Sequence, residues 1–367
     1  MSILSVVVGG AFGSEAKGSC AARLAKEWHH NGIQSATVIR VAGPNAGHTA
    51  YDDNGKAWAL RQIPVAAVTS PSCRLVIGPG SEIDFGVLAD EILSREAAGV
   101  EIRNRLWVDE QATIITEEHK QTEADRDMHR SIGSTAKGIG AARADRIMRT
   151  APIVKDYASE FRSSGIQVLR GTGQILMSEL RDNPEAAVCI EGTQGYGLGL
   201  HAGHYPKCTS SDTRAIDFCS LAGIDPVYAD DYEVWVVLRT YPIRVAGNSG
   251  ELKGETSWEA LGFAPEHTTV TKKVRRVGTW DPELAAASVF ENGGSRVVKV
   301  SLSMADYVVP DCKDFEGDRA GLLSERGQQV TEELDMLIEK VESDCGAPVY
   351  MAGTGPNAFY YPKGAIL

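Results

Sequence analysis

The segment Val6–Ser19, VVVGGAFGSEAKGS, constrains the chain more than any other stretch. The β-branched run Ile3 to Val8 ends in a turn carrying Gly9, Gly10 and Gly13, and an apolar helical rhythm follows through Leu24 and Trp28. A strand that feeds a helix through such a turn aims successive backbone N–H groups at one point. The helix dipole and the Lys17 ammonium add positive potential there, so a phosphate is the expected occupant. The spacing excludes two common versions of such a loop. A Walker loop needs Gly before the lysine and Ser or Thr after it, whereas Ala16 precedes Lys17 and Gly18 follows; a GxGxxG dinucleotide fingerprint also fails. Taken alone, the segment leaves open a tight strand-to-helix turn with an incidental lysine.

Short apolar runs alternate with helical patterns along all 367 residues, the rhythm of a parallel sheet covered on both faces. Strands are expected at 35–41, 75–77, 106–108, 187–190, 234–238, 297–300 and 349–351. Helices are expected at 85–96, 117–128, 153–161, 213–221, 282–290 and 331–341. With no composition break, repeat or low-complexity linker, residues 1–367 read as a single large α/β domain with a mainly parallel central sheet flanked by helices. The formal charge of −12 and the lack of any basic block argue against a nucleic-acid polymer or an anionic membrane as partner. Seven cysteines scattered singly, without a CxxC pair, point to core thiols in a reducing compartment rather than to disulfides or a zinc cage. No signal-like segment and no apolar run of spanning length is evident, so the cytoplasm is the expected location.

In an open parallel sheet the loops after the strands converge on one crevice, and six further loops are rich in glycine and polar residues. GPNAGHT at 43–49 carries Asn45, His48 and Thr49. IGSTAKGIG at 132–140 carries Ser134, Thr135 and Lys137, with a helix starting after it. EGTQGYG at 191–197 and KCTSSDT at 207–213 carry Gln194 and Thr209. TVTKKVRRVGTWD at 269–281 concentrates Lys272, Lys273, Arg275 and Arg276, a pattern suited to a carboxylate although a solvated basic face has the same composition. AGTGPN at 352–357 follows the last strand.

Read in order, GGAFGSEAKG, GPNAGHT, GSTAKGIG, EGTQG, the threonine and arginine loop and AGTGP resemble the motifs of adenylosuccinate synthetases, GxxWGDEGKG, GxNAGHT, GTTGRGIG, EGAQG, TTGRxRR and STGP. The resemblance spans the whole chain. It implies a P-loop-like nucleotide site and an enzyme that joins L-aspartate to the 6-position of a purine nucleotide. A 6-oxyanion attacks the γ-phosphate of a nucleoside triphosphate, and the aspartate amine then displaces the phosphate. The implied ATP site contains Gly13, Glu15, Ala16, Lys17, Gly18, His48, Thr49, Ser303, Gly353, Thr354, Gly355 and Pro356. His48 would serve as general acid or charge stabiliser, with the Gly47 carbonyl and the Ser14 position holding Mg²⁺. Ser14, Asn45, Ser134, Thr135, Gln194, Thr209 and Val274 would hold the purine monophosphate, with Gln194 at the 6-position. Arg149 would reach the phosphate of a neighbouring subunit, which implies a homodimer. Val270, Thr271, Lys273, Arg275 and Arg276 would hold L-aspartate; with Ser14, the residues Lys17, His48 and Gln194 form the implied catalytic set.

Three departures from the family pattern shape the expected substrate. Ser14 replaces the aspartate that serves as general base at purine N1 and as metal ligand. An ordinary serine hydroxyl cannot take that proton at neutral pH, and bound water, substrate phosphate and Glu15 remain as alternatives. Ser303 stands where the family's guanine-reading aspartate is expected, which favours ATP or dATP as donor. Lys273 and Val274 replace the arginine region that reads a ribose 2′-hydroxyl, which a deoxyribose tolerates. All three resemble the bacteriophage branch of the family, which converts dGMP, L-aspartate and ATP to the N6-succinyl-2-aminodeoxyadenylate used for 2-aminoadenine DNA. The alternatives are an ordinary adenylosuccinate synthetase acting on IMP and, from another class, a catalytically inactive purine-nucleotide-binding regulator.

Overall fold

The computed structural model describes residues 1–267 and 273–364. The strand Ile3–Gly9 lies at the middle of an eleven-stranded sheet, paired in parallel with Asp231–Arg239 on one side and Ala186–Glu191 on the other. Beyond Asp231–Arg239 come Val298–Ser303, Val349–Gly353, Phe359–Tyr361 and Gly317–Asp318. Beyond Ala186–Glu191 come Ser35–Arg40, Arg74–Ile77, Leu106–Asp109 and Gln167–Leu169. Every pairing in this sheet is parallel except that of Val349–Gly353 with Phe359–Tyr361, where Ala352 faces Tyr360.

The central strand is a continuous apolar run because both of its faces are covered. Leu4, Val6 and Val8 pack into one core with Ile190, Phe218 and Val300. Val7, on the opposite face, packs into a second core with Trp28, Val38 and Trp235. Trp28 belongs to the helix Lys17–His30, whose apolar stripe is therefore laid on the sheet directly after the glycine turn.

All the expected strands form, most of them extended by one to three residues. The helix Phe85–Glu96 begins where Asp84 accepts a hydrogen bond from the Val87 amide, an N-cap that fixes its start. Two expected helices divide. The stretch 117–128 breaks at Asp127, whose backbone is left-handed (φ 48°), into Glu117–Asp125 and Met128–Ile132. The stretch 153–161 becomes a 3₁₀ turn, Val154–Tyr157, followed by Ala158–Ser163. The short strand Gln167–Leu169 and the helix Thr172–Asp182 join the fold without having been anticipated. Six of the seven cysteines are buried, Cys208 is partly so, and none is paired. Among the described residues no helix is long and apolar enough to cross a membrane.

Candidate active site

The C-terminal ends of the central strands open into one cavity of about 880 Å³. The turn after Ile3–Gly9 forms its floor, with Gly13, Ser14, Ala16, Lys17 and Gly18 at the surface. Ser14 and Ala16 both hold left-handed backbone, φ 59° and 69°, a region that costs a residue with a Cβ roughly 1–2 kcal/mol. Between them the chain alternates: Ser14 is exposed to the cavity while Glu15 is fully buried beneath it. The Glu15 carboxylate accepts hydrogen bonds from the Ala11 and Gly13 amides at 3.2 and 2.6 Å, and from Lys17 Nζ at 2.6 Å. Glu15 is thus held by three donors and does not line the cavity. Gly195 closes over it so tightly that a Cβ would stand 2.4 Å from Glu15 Oε1 and 2.5 Å from the Ala11 carbonyl.

His48 meets the start of the helix Lys17–His30 across Gly18, where a Cβ would lie 2.6 Å from the histidine Cβ. Its Nδ1 is 2.6 Å from Glu191 Oε1 and 2.8 Å from a terminal nitrogen of Arg40; the tautomer with the proton on Nδ1 donates to the carboxylate. The buried Glu191 also accepts from the Arg40 guanidinium and from the Val65 amide at 2.9 Å. Burial pushes Glu191 up, but Arg40 and His48 outweigh it and hold the carboxyl below its usual range. Arg40 in turn donates to the Ala46 carbonyl at 2.6 Å, which pins the loop carrying His48. Burial first, then the charges of Arg40 and Lys17, lower the His48 pKa from 6.5 to about 4. The imidazole is therefore neutral at pH 7, and in the tautomer that donates from Nδ1 to Glu191 its Nε2 is an acceptor.

Asn45, Ser134, Thr135, Gln194 and Thr209 line the same cavity, as do Gly47 and Thr49. Gln194 is held in left-handed backbone (φ 62°) at the end of Ala186–Glu191. The helix Ile139–Met148, after the second glycine loop, does not present a free N-terminus. The buried Glu123 carboxylate accepts from the Gly138 amide at 2.8 Å and the Gly140 amide at 2.6 Å, filling the place an external anion would take. Ser303, Gly353, Gly355 and Pro356 form the far wall with Asp306; the Ser303 hydroxyl is turned to the Leu238 carbonyl at 3.1 Å.

Lys273 and Arg275 line the cavity as well. Arg276 does not: its guanidinium pairs with Glu255 at 2.5 Å and donates to the Gly250 carbonyl at 2.6 Å. Val274 is also outside the lining, and Val245 stands in the wall instead. Thr354 is fully buried, its hydroxyl donating to the Phe315 carbonyl at 2.5 Å. Arg149 caps the helix Ile139–Met148 in left-handed backbone (φ 65°), exposed and away from the cavity of its own chain. Val270 and Thr271 lie outside the described residues.

Sequence reasoning missed Arg40, Glu191, Arg239, Arg244 and Glu266. Arg40 and Arg239 each stand at the C-terminal end of a largely buried strand and are 1% exposed. A guanidinium at the end of a buried strand is costly unless it is fully bonded, and that was the available signal. Arg244 is also buried, with its guanidinium 3.9 Å from the centre of the Phe12 ring.

The sequence pattern of the adenylosuccinate synthetases matches residues 6–169 and 156–308. The adenylosuccinate synthetase of Methanococcus maripaludis (strain DSM 14266) is 36% identical over 357 residues, 96% of each chain. That of Thermococcus sibiricus is 33% identical over 354 residues, again 96% of each. Among solved structures, the succinoaminodeoxyadenylate synthetase of cyanophage S-2L, bound to dGMP and to dATP as an energy donor, aligns with a TM-score of 0.79 at 27% identity, covering 98% of this chain and 95% of the other. The fully ligated adenylosuccinate synthetase of Plasmodium falciparum shares the fold at a TM-score of 0.76 and 20% identity, over 98% and 99% of the two chains. With the ordered loops gathered on one cavity, these matches establish the chain as a C–N ligase of the adenylosuccinate synthetase family.

Proposed function

We propose that the protein joins L-aspartate to C6 of dGMP at the expense of ATP or dATP, giving N6-succino-2-amino-2′-deoxyadenylate, ADP (or dADP) and phosphate. The observation that carries this reading is Ser14, exposed to the cavity where the family resemblance expects a carboxylate. Guanine differs from hypoxanthine by a 2-amino group beside N1. The shorter serine leaves space for that group and an oxygen able to accept from it. The likeness to a phage enzyme bound to dGMP and dATP supports the same substrates.

In the first step the N1 proton passes to bound water or to substrate phosphate, O6 of the purine attacks the γ-phosphorus, and the bond to the β-phosphate oxygen breaks. Lys17 and the helix start at Lys17–Ser19 face the developing charge. Gln194 orients the 6-position. In the second step the aspartate amine attacks C6, the C6–O bond breaks, and phosphate leaves. In the tautomer that donates from Nδ1, Nε2 makes His48 able to accept a proton and return it to the departing oxygen, with Glu191 stabilising the imidazolium. Glu15, held by three donors, is a poor candidate for the N1 base.

A Mg²⁺ ion would neutralise charge between the two anionic reactants. Among the described residues no cluster of three or more His, Cys, Asp or Glu side chains is set to hold a metal. The Gly47 carbonyl and Ser14 Oγ, both at the cavity wall, would be the protein's ligands to such an ion, with phosphate oxygens and water supplying the rest, a mode suited to Mg²⁺.

A homodimer with shared sites completes the proposal. Arg149 is exposed beside two large exposed apolar side chains, Ile147 at 72% and Met148 at 69%. An arginine flanked by apolar surface is the composition of an interface core.

The deciding experiment measures phosphate release with Mg²⁺, ATP and L-aspartate, and dGMP or IMP as acceptor. Release with dGMP alone supports the proposal. Release with IMP alone makes the protein an ordinary adenylosuccinate synthetase, the reading that its archaeal relatives favour. Silence with both favours a nucleotide-binding regulator.

A further inference from the structure

Glu266 stands in the wall of the cavity between two arginines. Its Oε1 accepts from Arg239 and from the Tyr307 hydroxyl at 3.1 Å, and its Oε2 from Arg275 at 3.2 Å. The two arginines are in different situations. Arg239 is 1% exposed and uses every edge inside the protein: Nε donates to the Tyr241 carbonyl at 2.8 Å, one terminal nitrogen to the Ser14 carbonyl at 3.2 Å, and the other to Glu266. Arg275, among the described residues, engages only one terminal nitrogen of its guanidinium, leaving the rest toward the cavity. The backbone reinforces the pair, since the Arg275 amide donates to the Glu266 carbonyl at 2.8 Å.

We propose that Glu266 is a positioning residue for the second substrate: anchored by Arg239 and Tyr307, it fixes one edge of Arg275 so that the other edge meets a carboxylate of the dicarboxylic amino acid. The proposal rests on the aspartate-ligase reading and adds a residue to it. Through Arg239 the anchor reaches the carbonyl of Ser14, so the guanidinium is referenced to the turn that carries the nucleotide. The charge arithmetic agrees. Two guanidiniums and one carboxylate leave a single positive charge at this group, enough to meet one carboxylate. Burial pushes Glu266 up, but Arg239 and Arg275 outweigh it and hold the carboxyl below its usual range, so Glu266 is anionic at neutral pH.

An opposite role is physically reasonable: Glu266 could occupy the substrate's place and be displaced by it. The two roles differ in sign. L-Aspartate is titrated calorimetrically into the full chain saturated with dGMP and a non-hydrolysable ATP analogue, and turnover is measured in parallel. Glu266→Gln keeps shape and loses charge. We expect its aspartate affinity to fall about tenfold, its KM for aspartate to rise alike, and its KM for dGMP to stay within about twofold. Tyr307→Phe, which removes one anchor and no charge, should shift aspartate affinity the same way by a smaller factor. Tighter or unchanged aspartate binding in Glu266→Gln overturns the proposal, as does an equal rise in both KM values. Absence of aspartate binding in the wild type overturns it as well. Binding of aspartate weakened by Glu266→Gln in a protein that releases no phosphate would leave the positioning role standing and remove the ligase reading instead.

Discussion

At Ser14 the backbone and the side chain make separate demands. A φ of 59° favours glycine, asparagine and aspartate over other residues, so Ser14→Asp is a change the fold tolerates and the chemistry registers. We expect it to lower kcat/KM for dGMP at least tenfold and to improve IMP relative to dGMP, both read by phosphate release; unchanged dGMP use would remove Ser14 as the 2-amino selector. His48 carries a second prediction. Its side chain protonates near 6.5 in the unfolded chain and near 4 when folded, because burial and the Arg40 charge oppose the imidazolium. Between those values the unfolded state binds the extra proton, so stability contributed by the neutral imidazole is complete above pH 6.5 and is lost as pH falls toward 4. His48→Asn should flatten the urea midpoint against pH by the slope of one proton in that window. An unaltered slope would mean that the buried carboxylates alone set the acid sensitivity.

Among the elements, the turn at 9–18 shows where local sequence is sufficient and where it is not. Glycines at 9, 13 and 18, the apolar run before them and the helical rhythm after them announced the strand, the turn and the helix. The pattern of residues did not announce that Glu15 points inward: its three donors are local, but the space it fills exists only because Gly195, far along the chain, has no Cβ there. The same limit explains Glu191 and Glu266, whose roles exist only through arginines from other strands. Strands buried on both faces were legible as unbroken β-branched runs, whereas the three-residue edge strand Gln167–Leu169 carries too little pattern to be seen. Lys273 and Arg275, expected to hold L-aspartate, line the cavity; Arg276, expected beside them, is claimed by Glu255, a competition invisible in a run of basic residues. A stability prediction follows for the same turn. Ala16 holds φ 69° immediately before the helix, and its Cβ serves no capping bond there. Ala16→Gly should therefore stabilise the protein by about 1 kcal/mol despite the added freedom of the unfolded chain. A urea midpoint that stays put or falls would show that the strain is relieved elsewhere.

On the scale of the whole molecule, the cavity contains Lys17, but Arg149 from the same chain is not in it. If each site draws Arg149 from a neighbour, then Lys17 and Arg149 belong to different subunits at every site, and mixing two inactive variants becomes informative. In a Lys17→Ala homodimer both sites lack the lysine; in an Arg149→Ala homodimer both lack the arginine. A mixed dimer has one site with both defects. Its other site takes Lys17 from the Arg149→Ala chain and Arg149 from the Lys17→Ala chain, and is intact. Random exchange of equal amounts gives half mixed dimers, each with one working site of two, so activity should recover to about a quarter of the wild-type value. The recovery should follow subunit exchange in time and should fail when Ile147 and Met148 are replaced by charged residues, because the exposed apolar pair beside Arg149 is the surface that would seat the partner. Mixing without recovery, under conditions where native mass spectrometry shows mixed dimers, would place Arg149 outside the reaction and leave each chain with a site of its own.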